Sequence, residues 1–156
     1  MIVVLMGVSG CGKSTVGLLL AERLGYPFLD ADEFHPPANV AKMAAGTPLT
    51  DTDRQPWLEL LNGKLLGEKN AVLACSALKD SYRQVLSRGI AGCRFVHLRG
   101  SLELIGARLA ARKHRYMPAS LLQSQFAALE PPVDAIEVDV AQAPERCAEE
   151  IFAALG

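Results

Sequence analysis

The chain has 156 residues, half of them hydrophobic and 21% charged, with a net charge of −1. That length suits a single domain over residues 1–156, large enough to bury a core. The near-neutral balance supplies no basic stripe for nucleic acid, and no apolar run reaches the length of a membrane span, so neither partner is expected. Cys11, Cys75, Cys93 and Cys147 stand apart with no paired spacing, which reads as reduced thiols of a cytoplasmic protein.

The first element is the apolar run Ile2-Val3-Val4-Leu5-Met6, a short strand by its pattern. Directly behind it, Gly7-Val8-Ser9-Gly10-Cys11-Gly12-Lys13-Ser14 matches G-x-x-x-x-G-K-[ST], the phosphate-binding P-loop. Glycines let the backbone curl so that successive N–H groups point inward at phosphate oxygens. A helix over 14–24, apolar at Val16, Leu19, Leu20 and Leu24, would present its positive end to the same anion. The expected nucleotide contacts are therefore Gly7 to Ser14 and Thr15. Lys13 is the catalytic cation for the β- and γ-phosphates, and the Ser14 hydroxyl is a candidate Mg²⁺ ligand.

Strands then alternate with helical stretches, the pattern of an α/β fold with a parallel sheet. Further strands are expected over 27–30, 71–75, 94–98 and 135–138. Helices are expected over 38–45, 54–66, 78–87, 102–112, 119–128 and 145–155, with Gly25 and Gly89 as helix stops. The crossover after Asp32 is overlong. A compact crossover needs about a dozen residues, whereas this one carries two helical stretches and Pro36, Pro37, Pro48 and Pro56 before Ala71. The excess, about 33–68, suggests a helical insert covering a substrate. A short basic segment, about 112–118, suggests a lid.

Several side chains could carry chemistry. Asp30 and Asp32 end the second strand, at the sheet edge where open α/β folds bind ligands. If the strand stays extended, both carboxylates project to one side. Asp30 could then serve Mg²⁺ and Asp32 could accept a hydroxyl proton; alternatively they are solvated loop or capping carboxylates. His35, beside Pro36 and Pro37, either contacts substrate or shapes the turn. Thr50, Asp51 or Asp53 can cap the next helix, and Pro56 fits its first turn. Arg54 is either a clamp for an acid group or a helix-start charge. The position that usually carries a metal-binding carboxylate after the third strand holds Cys75 and Ser76, so Mg²⁺ would depend on Ser14 and Asp30. Ser76 could bond a polar substrate. Lys79 and Arg83 share a helix face that is either a substrate contact or a solvated basic face. Arg108, Arg112, Lys113, His114 and Arg115 either answer a helix dipole or close over ATP, with Arg108 and Arg112 acting together.

With these features in hand, the chain resembles the short gluconokinases, relatives of the shikimate and nucleoside-monophosphate kinases. The resemblance runs through the P-loop, Asp30-Ala31-Asp32 with His35-Pro36, Lys42-Met43, Gly46-Thr47-Pro48-Leu49 and Asp51 to Leu58. It continues through Cys75-Ser76-Ala77-Leu78-Lys79 with Tyr82-Arg83, and Leu121-Leu122-Gln123-Ser124-Gln125-Phe126 ahead of Leu129-Glu130. The P-loop belongs to many families; the Cys-Ser-Ala-Leu-Lys, Asp-Arg-x-Pro-Trp-Leu and Ser-Gln-Phe blocks are far more specific. The resemblance implies ATP- and Mg²⁺-dependent phosphorylation of D-gluconate at its 6-hydroxyl. It also implies a five-stranded sheet in 2-3-1-4-5 order, a closing lid and a homodimer. The family lid usually reads Arg-Lys-Gly-His-Phe; here it reads Arg112-Lys113-His114-Arg115-Tyr116, so the lid histidine is shifted or replaced and no role is carried over to His114. A regulatory GTPase would need Asp-x-x-Gly and Asn-Lys-x-Asp, and neither occurs. A shikimate- or nucleotide-type kinase and a non-catalytic nucleotide-binding module remain the rivals.

Overall fold

The computed structural model of the chain describes residues 1–111 and 119–156. Five strands, β1 (Ile2–Met6), β2 (Phe28–Asp30), β3 (Ala71–Ala74), β4 (Arg94–Arg99) and β5 (Ile136–Asp139), form one parallel sheet in the order β2-β3-β1-β4-β5. The order is the one the resemblance implies. Among the described residues the helices are α1 (Lys13–Leu24), α2 (Pro37–Ala44), α3 (Asp51–Leu66), α4 (Asp80–Ser87), α5 (Leu102–Ala110), α6 (Ala119–Ala128) and α7 (Pro144–Leu155). None of them is long and apolar enough to cross a membrane.

Both faces of the sheet are covered, which is why the central strands read as unbroken apolar runs rather than alternating ones. β1 is buried along its whole length. Val3 and Leu5 join Val16, Leu20, Ile105, Leu109 and Ile151 in one core layer. Ile2, Val4 and Met6 join Trp57, Leu58, Leu61, Leu65, Tyr82 and Leu86 in the other. Parallel register places Val4 beside Leu73 on one side and Phe95 on the other. The strand ends are thereby aligned, and the loops after β1, β2 and β3 emerge at one edge.

Local chemistry moves two helix starts by two or three residues from their expected places. α3 begins at Asp51 rather than 54, because Thr50 and Asp53 form a capping box. The Asp53 N–H donates to Thr50 Oγ1 at 3.1 Å, and the Thr50 N–H donates to Asp53 Oδ2 at 2.9 Å. That earlier start puts Pro56 inside the helix instead of in its first turn, where its missing N–H leaves the Thr52 carbonyl without the usual partner. α4 begins at Asp80 rather than 78, since Ala77 adopts φ 45° and Lys79 is extended (φ −102°, ψ 147°). β2 ends at Asp30 because the chain turns at once into a 3₁₀ segment, Ala31–Phe34.

Candidate active site

β1 runs straight into the P-loop, and the loop's shape is set by glycine. Gly10 (φ 85°) and Gly12 (φ 98°) occupy the left-handed region, and a Cβ on Gly10 would lie 2.6 Å from Leu109 of α5. The Val8 and Cys11 side chains are buried in the core, which leaves only the backbone of these two residues to face the loop's concave side. The Gly7 N–H donates to the Ser76 carbonyl at 3.2 Å, joining this loop to the one after β3. Lys13 Nζ donates to the Gly7 and Val8 carbonyls, each at 3.0 Å. Ser14 and Thr15 stand exposed in the first turn of α1, at its positive end.

Asp30 and Asp32 have different settings because the chain leaves the strand between them. Asp30 Oδ2 accepts from Ser14 Oγ at 3.1 Å, and Oδ1 accepts from the Asp32 N–H at 3.1 Å. A hydroxyl and a carboxylate side by side offer the oxygen ligands that Mg²⁺ takes, with water and phosphate oxygens filling the rest of its shell. Cys75 cannot join them: burial pushes its thiol up to about 12, with Ala77 N–H, Lys13, Asp32 and Asp30 as smaller influences, and only a thiolate ligates metal. Asp32 instead turns its carboxylate into a cavity of about 750 Å³.

That cavity adjoins the P-loop at Ser9 and is walled by α2, α3, the β3–α4 loop and α6. The expected substrate residues Asp32, His35, Arg54, Ser76 and Lys79 all line it. Arg54 Nη1 donates to the Leu49 carbonyl at 2.8 Å and to Tyr82 Oη at 3.2 Å. Tyr82 Oη donates in turn to Asp51, which also receives Lys79 Nζ at 3.2 Å. The Tyr82 hydroxyl and then the Lys79 ammonium hold the Asp51 carboxyl below its ordinary value. Lys79 pairs with Asp51 directly and Arg54 reaches it only through Tyr82, so this group of four side chains holds two cations to one carboxylate. Beside it, the Lys42 ammonium bonds both Asp53 oxygens at 2.8 and 2.9 Å and pulls that carboxyl down to about 2.

His35 stacks on Trp57 with ring centroids 4.1 Å apart, and Trp57 Nε1 donates to the Ala31 carbonyl at 2.8 Å. Burial of the imidazole lowers its pKa from 6.5, although Asp32 pulls in the other direction. The ring is therefore neutral near pH 7 and presents Nε2 to Asp32 Oδ1 at 4.0 Å.

Arg83 is a correction. It does not line the cavity; its guanidinium is buried beneath it, donating to the carbonyls of Ala77 (2.7 Å), Leu78 (3.2 Å) and Glu130 (2.8 Å). It holds the strained Ala77 turn against the end of α6 instead of presenting a basic face with Lys79. Arg108 also lies outside the cavity, half-buried in the last turn of α5. Arg112 and the expected lid, 112–118, lie outside the described residues.

Tyr82 and Gln125 line the cavity without a role assigned from sequence. Tyr82 mediates between Arg54 and Asp51. Gln125 of α6 reaches the P-loop: its Oε1 accepts the Ser9 N–H at 2.7 Å and its Nε2 donates to Ser9 Oγ at 3.1 Å. The Ser-Gln-Phe block was the sequence signal for Gln125, but nothing local named its partner.

The sequence model of the Shikimate kinase family matches residues 9–155. The gluconokinase of Gluconobacter oxydans is 47% identical over 156 residues, covering 96% of this chain and 88% of that protein. The thermosensitive gluconokinase of Escherichia coli is 41% identical, covering 96% and 87%. The chain belongs to the gluconokinase family, within the wider shikimate kinase group. A crystal structure of a gluconokinase from Sinorhizobium meliloti, 46% identical, superposes with a TM-score of 0.92 over 98% of this chain and 90% of that one. The Sinorhizobium protein therefore shares this chain's fold as well as extended sequence.

Proposed function

We propose that this chain is an ATP-dependent gluconokinase that phosphorylates D-gluconate at its 6-hydroxyl. The observation that carries the reading is the cavity joined to the P-loop and lined by the Arg54–Tyr82–Asp51–Lys79 cluster. A volume of about 750 Å³ suits a small ligand, and the positive excess of the cluster suits an acid rather than a neutral sugar. Arg54, with its planar fork, is the candidate carboxylate partner, and Lys79 adds a second charge. His35 and Ser76 offer further polar contacts to the polyol.

In the transfer, the 6-oxygen of gluconate forms a bond to the γ-phosphorus as the β–γ bridging P–O bond breaks. ADP departs with that electron pair. The hydroxyl proton passes to the Asp32 carboxylate, which lines the same cavity. Lys13 moves from the loop carbonyls to the β- and γ-phosphates, and the loop N–H groups and the α1 N-terminus balance the remaining charge. Ser14 and Asp30 would hold Mg²⁺, which when bound neutralises phosphate charge. Arg108 and Arg112 complete the proposed nucleotide contacts, with 112–118 as a lid over them. A homodimer and a cytoplasmic location belong to the same reading and rest on the family resemblance.

Coupled ADP release with gluconate, glucose, shikimate and nucleoside monophosphates as acceptors tests the proposal. Turnover with gluconate far above the others is the expected result. Turnover with shikimate or a nucleotide instead, or none with any acceptor, would overturn it.

A further inference from the structure

Gln125 stands where the proposed acceptor cavity meets the phosphate loop. α6 gives that cavity a wall through Leu121, Ser124, Gln125 and Ala128. The same helix is anchored at its far end, where the Glu130 N–H donates to the Leu78 carbonyl at 2.8 Å and Glu130 Oε1 accepts the Asp80 N–H at 2.7 Å. Among the described residues of this helix only Gln125 touches the P-loop by hydrogen bonds, and it does so with both ends of its amide. A complementary pair of bonds across 116 residues of sequence fixes the orientation of the amide and of Ser9 together.

From this geometry we infer that Gln125 is a positioning residue that couples acceptor binding to nucleotide binding. The inference rests on the acceptor reading above. An acceptor filling the cavity packs against the α6 wall and holds Gln125 on Ser9. Ser9, so held, keeps the loop in the curl that presents its other N–H groups to phosphate. Each ligand then meets a site whose shared side chain the other has already ordered. By linkage the effect is reciprocal: gluconate tightens ATP by the factor with which ATP tightens gluconate. Gln125 touches the loop, not the reacting atoms, so its contribution appears in this ratio.

The test is calorimetric titration of the whole chain with Mg²⁺ and the non-hydrolysable β–γ imido analogue of ATP, with and without saturating gluconate. The wild type should bind the analogue about fivefold or more tightly when gluconate is present, the lower end of ordinary coupling. Gln125→Met keeps the length and helix preference of the side chain but removes both hydrogen bonds, and should bring the ratio close to one. Leu121→Ala opens the same wall without touching the loop; it should weaken gluconate yet keep most of the ratio. A wild-type ratio in Gln125→Met, or equal loss in Leu121→Ala, would overturn the inference. Gluconate that binds the wild type but leaves analogue affinity unchanged overturns the coupling alone. Gluconate that does not bind at all overturns the acceptor assignment as well.

Discussion

Asn39 Nδ2 lies 3.3 Å from His35 Nδ1 and donates its other hydrogen to the Asp53 carbonyl at 2.9 Å. The second bond fixes which way the buried amide points. Nδ1 of the imidazole is therefore an acceptor, the ring proton sits on Nε2, and Nε2 faces Asp32. A residue of the insert thus sets the tautomer of a ring that looks into the cavity.

His35 and His97 together predict how stability depends on pH. Burial lowers both from 6.5; Asp32 opposes this at His35 and Glu137 at His97, while Arg83 and Arg99 reinforce it at His97. Below 6.5 the unfolded chain takes up protons that the folded one does not, so stability is full above that value and falls as pH drops through the window beneath it. Urea midpoints should decline between pH 7.5 and pH 5.5. The decline should shrink in His97→Gln and in His35→Gln. A midpoint that rises on acidification over that range would contradict the assignment of both rings as buried and neutral.

Arg54→Met should raise the KM for gluconate far more than that for ATP, and should narrow the preference for gluconate over glucose. The helix start survives, since Thr50 and Asp53 cap it without Arg54. Tyr82→Phe should act in the same direction but more weakly, because it frees Asp51 from one donor and leaves both cations in place. Steady-state kinetics with both acceptors decides this. Equal losses for gluconate and ATP would show that the insert had been disturbed as a whole.

Lys13→Ala should abolish turnover while keeping the thermal transition near that of the wild type. The ammonium binds two loop carbonyls at the surface of the site, whereas the core layers on either side of β1 do not include it. Turnover approaching wild type in a folded Lys13→Ala chain would mean that phosphate charge is met elsewhere.

Asp32→Asn keeps the size of the side chain but cannot accept the hydroxyl proton. It should lower kcat by about 10²-fold or more, the usual scale of lost general-base help, with little change in nucleotide affinity. If kcat stays within a few-fold of wild type, Asp32 orients the acceptor and the proton leaves by another route.

The sequence was most informative where the controlling chemistry is local. The P-loop follows from eight consecutive residues and the strands from apolar runs, whereas Thr50 was one of three candidate caps for α3 and folding is what pairs it with Asp53. The separation of duties between Asp30 and Asp32 was less legible. Both sit at the right sheet edge, but the 3₁₀ turn that points one at Ser14 and the other into the cavity depends on Asp30 capping its own successor. Arg83 was misread because helical spacing aligns it with Lys79, although Lys79 is extended and lies ahead of the helix. Only the Ala77 turn and the end of α6, brought together by folding, explain why a guanidinium is buried there. Gln125 and Tyr82 were invisible as partners for the same reason: periodicity tells which side of a helix faces inward, not which loop waits opposite.

The most direct measurement is phosphorus NMR of the reaction run with ATP, Mg²⁺ and D-gluconate. Phosphate should appear on the gluconate 6-oxygen, split by the two protons on that carbon, in step with ADP. Inorganic phosphate as the sole product, or phosphate at another position of gluconate, would contradict a cavity that seats the acid group at Arg54 and brings the 6-hydroxyl to Asp32.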